Sequence, residues 1–203
     1  MWRANAHVRA LCGALTRLWG EPCVARTLLG SRFGGPHKAR PTEVRELPRL
    51  VRAPAPPHRI AGFPYCGFYR YHLRFATDGR AHLFVEHARV ASALAEVQRT
   101  ADEDQFAVLA YCFMPDHLHL VVEGRHEASD MRRFAKVSKQ RVRFVFRMRF
   151  EIRETWQEGY FDRVLRSDEA TEVVVRYVLD NPVRAGLVET AEDYPFSGAL
   201  FWP

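Results

Sequence analysis

From Phe68 onward, apolar and polar positions fall into regular patterns. "FYRYHLRF", Phe68 to Phe75, alternates and is rich in aromatics, which predicts a strand. "ATDGRA" supplies an Asp-Gly turn, and "HLFVE" behind it predicts a short return strand. Val90, Leu94 and Val97 recur at helical spacing, so His87 to Glu103 predicts a helix. Gln105 to Phe113 and His117 to Val122 are apolar runs divided by "MPD", where Pro115 interrupts pairing; they predict two tightly joined strands. Ser129 or Asp130 suits the N-cap of a long helix reaching about Phe150. A second helix, Asp168 to Leu179, stops at "DNPVRAG", with Pro182 just beyond its end. Strands in hairpins interrupted by helices imply an α+β sandwich, and no internal repeat is visible.

The long helix splits into two arcs. Met131, Phe134, Ala135, Ser138, Val142, Val145 and Phe146 form an apolar one; Arg132, Arg133, Lys136, Lys139, Gln140, Arg143 and Arg147 form the opposite one. From Arg125 to Arg153 ten basic residues face three acids, a net +7 that exceeds the +6 of the whole chain. A solvated face normally mixes signs, so this stripe reads as a phosphate-binding surface, with an Arg-rich soluble face as the plainer alternative.

Composition adds boundaries. The 203 residues, 47% hydrophobic, suffice for one good core and some extension. Residues 1–58 form a basic, Pro-containing extension, and residues 59–203 the folded domain. The first forty residues carry seven Lys/Arg and one acid, Glu21, without a continuous apolar core. A disordered extension, an early start codon and a targeting segment all fit that composition. "RAPAPPHR", Arg52 to Arg59, marks the domain edge. Cys12, Cys23, Cys66 and Cys112 are widely spaced without a CxxC pair, which favours free thiols in a reducing cytoplasm. No apolar run approaches the ~20 residues of a membrane span, so no membrane partner is expected.

The chemistry concentrates in "YCFMPDHLHLVVEG", Tyr111 to Gly124. In a strand, His117 and His119 share a face with Val121 and Glu123, while Leu118, Leu120 and Val122 take the other. Two imidazoles placed this way can converge on one divalent ion; they can equally be half-buried histidines bonded to backbone or water.

"AYCFMPDHLHLVV" resembles the histidine-hydrophobic-histidine (HUH) segment of single-tyrosine transposases, the small enzymes of insertion sequences and repetitive-palindrome-associated elements. "YHLRF…GRAHLF" before it, and "TWQEGYFDRVLR" and "YVLDNPVRAGLV" after it, agree in order, so the resemblance runs from Arg59 to Ser197. It implies a ferredoxin-like antiparallel sheet with helices packed on it and the HUH motif on a central strand. It also implies single-stranded or hairpin DNA as partner, and Mg²⁺ or Mn²⁺ held by His117 and His119. A tyrosine then attacks the scissile phosphate, leaving a 5′-phosphotyrosine and a free 3′-hydroxyl. Arg132, Arg133, Lys136, Lys139, Arg141, Arg143 and Arg147 are the implied DNA contacts. A homodimer is among the assemblies the resemblance implies.

The sequence departs from that pattern at the nucleophile, which the resemblance places on the long helix. Counted without gaps from His119, its position holds Arg141, and no tyrosine lies between Tyr111 and Tyr160. A polar metal ligand one turn beyond the tyrosine, present in some relatives, falls on Val145, and Gln140 projects from the wrong side. Three readings follow: Tyr160 supplies the nucleophile from a loop; the protein binds hairpin DNA without cutting it; or the metal activates water, with Glu123 or Asp116 assisting. By alternation Asp116 belongs to the turn. RNA binding through Phe68 to Phe75 is a further alternative, weakened because the basic stripe lies elsewhere.

Overall fold

The computed structural model describes residues 60–165 and 168–199. The N-terminal extension with its alternative readings, and Cys12 and Cys23, lie outside them. Five strands form one antiparallel sheet in the order β4-β1-β3-β2-β5. They are β1 Arg70–Ala76, β2 Phe106–Met114, β3 His117–Gly124, β4 Phe161–Leu165 and β5 Ser197–Ala199. The helices are α1 His87–Glu103, α2 Met131–Phe150, α3 Asp168–Leu179 and the short α4 Asn181–Arg184. The run β1-α1-β2-β3-α2-β4 is the ferredoxin-like arrangement, with β3 in the middle of the sheet as expected.

Strand alternation divides the side chains between two cores. Tyr71, Leu73 and Phe75 of β1, with Leu118, Leu120 and Val122 of β3, meet Val97 of α1 and Phe134, Val142 and Phe146 of α2. On the other face Ala110, Cys112, Met114, Val121 and Leu165 meet Val174, Val175 and Val178 of α3. Each fully buried large apolar side chain contributes about 1.5–3 kcal/mol. The helix on the histidine face is therefore α3, and α2 with its basic arc lies across the sheet from it.

β2 carries a bulge that shifts which of its residues meet each core. Val108 pairs with Val122, but Ala110 pairs with Val121, so Leu109 is an extra residue. It reverses the parity of the strand, sending Phe106 and Val108 to one face and then Phe113 to the same face from odd numbering. With both of its faces buried, the run reads as continuously apolar.

The long helix begins where its sequence predicts. The Asp130 carboxylate accepts from the backbone N–H groups of Arg132 and Arg133, a cap worth about 1 kcal/mol. Helices α1 and α3 also match their predicted limits. "HLFVE" does not form a strand. Arg80 takes a positive φ of 58°, and the Thr77 hydroxyl bonds the carbonyls of Ala81 and Asp116, turning the chain inward. Phe84 is then fully buried against Phe113, Phe146 and Trp156. β4 and β5 are too short for alternation to announce them; Ser197–Ala199 pairs with Ala110–Cys112 of β2. No described helix is long and apolar enough to cross a membrane. Cys66 and Cys112 are free thiols.

Candidate active site

Register sets the site. In the β1–β3 pairing Arg74 stands opposite His119 and His72 opposite Val121, so His72 is the diagonal neighbour of His119 on one face. The imidazoles form a hydrogen-bonded row. His72 Nε2 is 3.0 Å from His119 Nδ1, and His119 Nε2 is 3.1 Å from His117 Nε2. His117 Nδ1 is 2.5 Å from Asp116 Oδ1, and Arg80 pairs with the other oxygen of that carboxylate at 3.1 Å. Asp116 thus belongs to the histidine row and not merely to the turn. Glu123, the other proposed assistant, is held by Arg70 at 2.7 Å at the far end of β3.

Burial governs protonation here. His119 is 3% and His72 8% exposed. Burial, reinforced by Arg74 and Arg163, lowers the His72 pKa to about 4. Burial, with His117, His72 and Arg74 nearby, keeps His119 well below the ordinary imidazole value. Burial pushes the Asp116 carboxyl upward, but the hydrogen bond and charge of His117 and the guanidinium of Arg80 leave it below the usual range. A neutral His119 is the protonation state that metal ligation requires of it.

Two imidazole nitrogens 3.1 Å apart need a proton or a cation between them. Ligands at about 2.1 Å on neighbouring corners of an octahedral ion lie about 3.0 Å apart, so His117 and His119 fit a divalent ion as a pair. His72 reaches the nitrogen of His119 that faces away from His117, so it is not a third ligand to an ion between them. Among the described residues no group of three or more His, Cys, Asp and Glu side chains forms a complete cage. The remaining donors would therefore come from other groups.

A tyrosine also reaches this face. The Tyr177 ring lies edge-on to His72 and His119, with centroids 6.1 and 6.3 Å away, and remains 41% exposed. Its neighbours Val174, Val175 and Val178 anchor α3 on the sheet, which fixes where the ring emerges. Arg184 of α4 lies over that ring at 4.7 Å. Asn181 donates from Nδ2 to the Tyr177 carbonyl at 2.8 Å, coupling α4 to the last turn of α3. Sequence reasoning missed both His72 and Tyr177. The signal for His72 was its place in the alternating aromatic strand; for Tyr177 there was only "YVLDNPVRAG", read as a helix stop.

The residues expected to act from α2, and Tyr160 expected to act from a loop, lie elsewhere. Arg141 bonds Glu103 of α1 at 2.6 Å, on the far side of the sheet from the histidines. Tyr160 packs on Phe75, and its hydroxyl points to Met131 Sδ at 3.9 Å in the α1–α2 core. Neither is brought to the histidine pair: α2 packs on the opposite sheet face, and alternation into β4 sends Phe161 to the histidine face and Tyr160 to the other. Much of the basic arc is also engaged. Arg133 pairs with Asp104, Arg143 with Glu154, and Lys139 donates to the carbonyls of Gln157 and Gly159. Arg132 lies over the Tyr65 ring, while Lys136 and Arg147 are exposed. The histidine face has its own cations: Arg74, half-buried over Phe161, and the exposed Arg163 and Arg184.

A family model described as "Transposase IS200 like" matches residues 68–181. The REP-associated tyrosine transposase of Escherichia coli is 25% identical over 118 residues, 57% of this chain and 66% of that protein. A Haemophilus influenzae protein, provisionally named a REP-associated tyrosine transposase, is 26% identical over 110 residues, 49% of this chain and 62% of that one. The matched part thus spans less than two thirds of each relative. A solved REP-associated tyrosine transposase bound to a REP hairpin superposes with a TM-score of 0.58 at 18% identity, covering 66% of this chain and 78% of that one. At that identity the likeness is one of fold. The family model spans more than half of the 203 residues, and the chain belongs to the IS200-like transposase family.

Proposed function

We propose that residues 59–203 act as a DNA strand transferase on single-stranded or hairpin DNA, with His117 and His119 holding Mg²⁺ or Mn²⁺ and Tyr177 as nucleophile. The observation that carries this reading is the meeting, on one sheet face, of a converging histidine pair and a half-exposed tyrosine. The bound ion would polarise the scissile phosphate and offset charge developing on it.

The chain's own residues supply the remainder. Arg74 beside His119, Arg163 opposite His72 and Arg184 over Tyr177 give this face positive charge, which draws a phosphodiester to it. The Tyr177 oxygen attacks phosphorus while the bond to the 3′ oxygen breaks. The phenol proton lost in attack is balanced by the proton that the leaving 3′ oxygen gains. A 5′-phosphotyrosine and a 3′-hydroxyl result, and a second 3′-hydroxyl reverses the step, so bond energy is conserved for rejoining. The guanidinium of Arg184 clamps the Tyr177 ring through a cation–π contact. Asn181, one turn beyond Tyr177, spends its Nδ2 on backbone carbonyls, which leaves the amide oxygen as a hard donor for the ion. On this reading Asn181 would take the place of the polar ligand that some relatives carry one turn past the tyrosine.

The test is a covalent-adduct assay. Labelled single-stranded hairpin DNA and Mn²⁺ are incubated with the protein, with Tyr177→Phe and with Tyr160→Phe, then run on a denaturing gel. A protein–DNA band lost only in Tyr177→Phe is expected. A band that survives in Tyr177→Phe removes it as nucleophile. Hairpin binding without any band would identify a non-catalytic DNA-binding relative.

A further inference from the structure

We propose that His72 is a positioning residue that holds His119 in the ring orientation and tautomer a metal ligand needs, by accepting the Nδ1–H of His119 at its own Nε2. The inference rests on the metal-site reading above. Three observations carry it. The His72 and His119 rings stack at 5.2 Å with planes 18° apart, and their facing nitrogens lie 3.0 Å apart. His72 is itself locked, buried to 8% exposure between the edges of Phe161 and Tyr177. And the other member of the pair has the matching support, since Asp116 engages His117 at Nδ1. Each histidine thus has its outer nitrogen tied and its Nε2 turned toward the other. Such outer partners fix the tautomer of metal-bound histidines, and losing one typically costs 10–100-fold in metal affinity.

The row also has a direction. With Asp116 accepting from His117 Nδ1, a neutral His117 offers a lone pair at Nε2. Without a cation, His119 must then donate from Nε2 and accept at Nδ1 from His72 Nε2. With a cation at both Nε2 atoms, the His119 proton sits on Nδ1 and His72 becomes the acceptor. Loading therefore reverses the His72–His119 hydrogen bond while both rings stay neutral. A histidine present only for packing would show no such reversal.

The test uses the full chain and Mn²⁺ affinity by titration calorimetry, in wild type, His119→Ala, His72→Phe and His72→Gln. Phenylalanine keeps a flat ring but cannot accept; glutamine restores an accepting oxygen. Affinity is expected to fall 10–100-fold in His72→Phe, with most of it recovered in His72→Gln, while melting curves confirm folding. In parallel, long-range ¹⁵N–¹H spectra of Mg²⁺-loaded protein should show His72 Nε2 unprotonated, and protonated before loading. Unchanged affinity in His72→Phe, with binding lost in His119→Ala, overturns the positioning role and leaves the metal site standing. A His72 Nε2 that stays protonated on loading also overturns it. Equal binding by wild type and His119→Ala removes the metal site, and the positioning role with it.

Discussion

The ring of Tyr177 meets the ring of His119 edge-on, with centroids 6.3 Å apart. One residue comes from the last turn of a C-terminal helix and the other from the central strand of the sheet. No local pattern links them. The contact exists because α3 lays Val174, Val175 and Val178 on the face that carries the histidines. Replacing Tyr177 by Phe keeps that packing and removes only the oxygen. Cleavage of hairpin DNA, read as released 3′-hydroxyl product on a denaturing gel, is expected to drop on the order of 10³-fold or more, with hairpin affinity within a few-fold of wild type.

Chelation separates binding from chemistry in the same way. With His117 and His119 holding the ion, excess EDTA should abolish cleavage, and Mn²⁺ should restore it in wild type but not in His117→Ala. Gel-shift affinity for the hairpin should change far less. Cleavage that persists in EDTA would rule out the pair as a metal centre.

Phosphate contacts should map to the histidine face rather than to the basic arc of α2. Arg163 stands opposite His72 in the β1–β4 register, whereas Lys136 lies across the sheet. Arg163→Gln is expected to weaken hairpin binding and to flatten the slope of log affinity against log salt by about 0.7–0.9, the value of one lost phosphate contact. Lys136→Gln should leave both near wild type. The opposite ranking would return the DNA to α2.

Acid should destabilise the fold through its buried histidines. An unfolded histidine titrates near the ordinary value of about 6.5, whereas burial lowers His72 to about 4. The unfolded chain therefore takes up a proton across that window and the native one does not, so the stability present above about pH 6.5 is lost as the pH falls toward 4. His72 alone contributes roughly 3 kcal/mol to this loss, and His119 acts in the same direction. Thermal melts at steps from pH 7.5 to 4.5 should show the midpoint falling, and falling less in His72→Phe.

Gly124 closes β3 against the N-terminal segment. A Cβ there would run into the carbonyl oxygen of Gly67, a backbone atom and not the end of a flexible side chain. Gly124→Ala is expected to cost about 2–4 kcal/mol in urea unfolding, an effect of a forced backbone shift. A loss below about 0.5 kcal/mol, the range of ordinary surface substitutions, would mean the segment moves aside freely.

The sequence by itself determined what depends on near neighbours. The 3.6-residue spacing of Val90, Leu94 and Val97 defined α1, a cap at Ser129 or Asp130 started α2, and Pro115 divided two apolar strands. The His-hydrophobic-His spacing put His117 and His119 on one face, and that holds. Only the tertiary structure decided which groups join them. Strand register brought His72 diagonally against His119. The bulge at Leu109 inverted the parity of β2, so its two faces could not be counted from the run alone. Above all, α2 is amphipathic whichever side of the sheet it covers, so its basic arc said nothing of its distance from the histidines. It covers the far side, which takes Arg141 away from the site, and Tyr160, just before β4, packs into that same far core. Periodicity reports the face a helix buries; the partner that buries it is set by chain topology, and that placed Tyr177 beside His119.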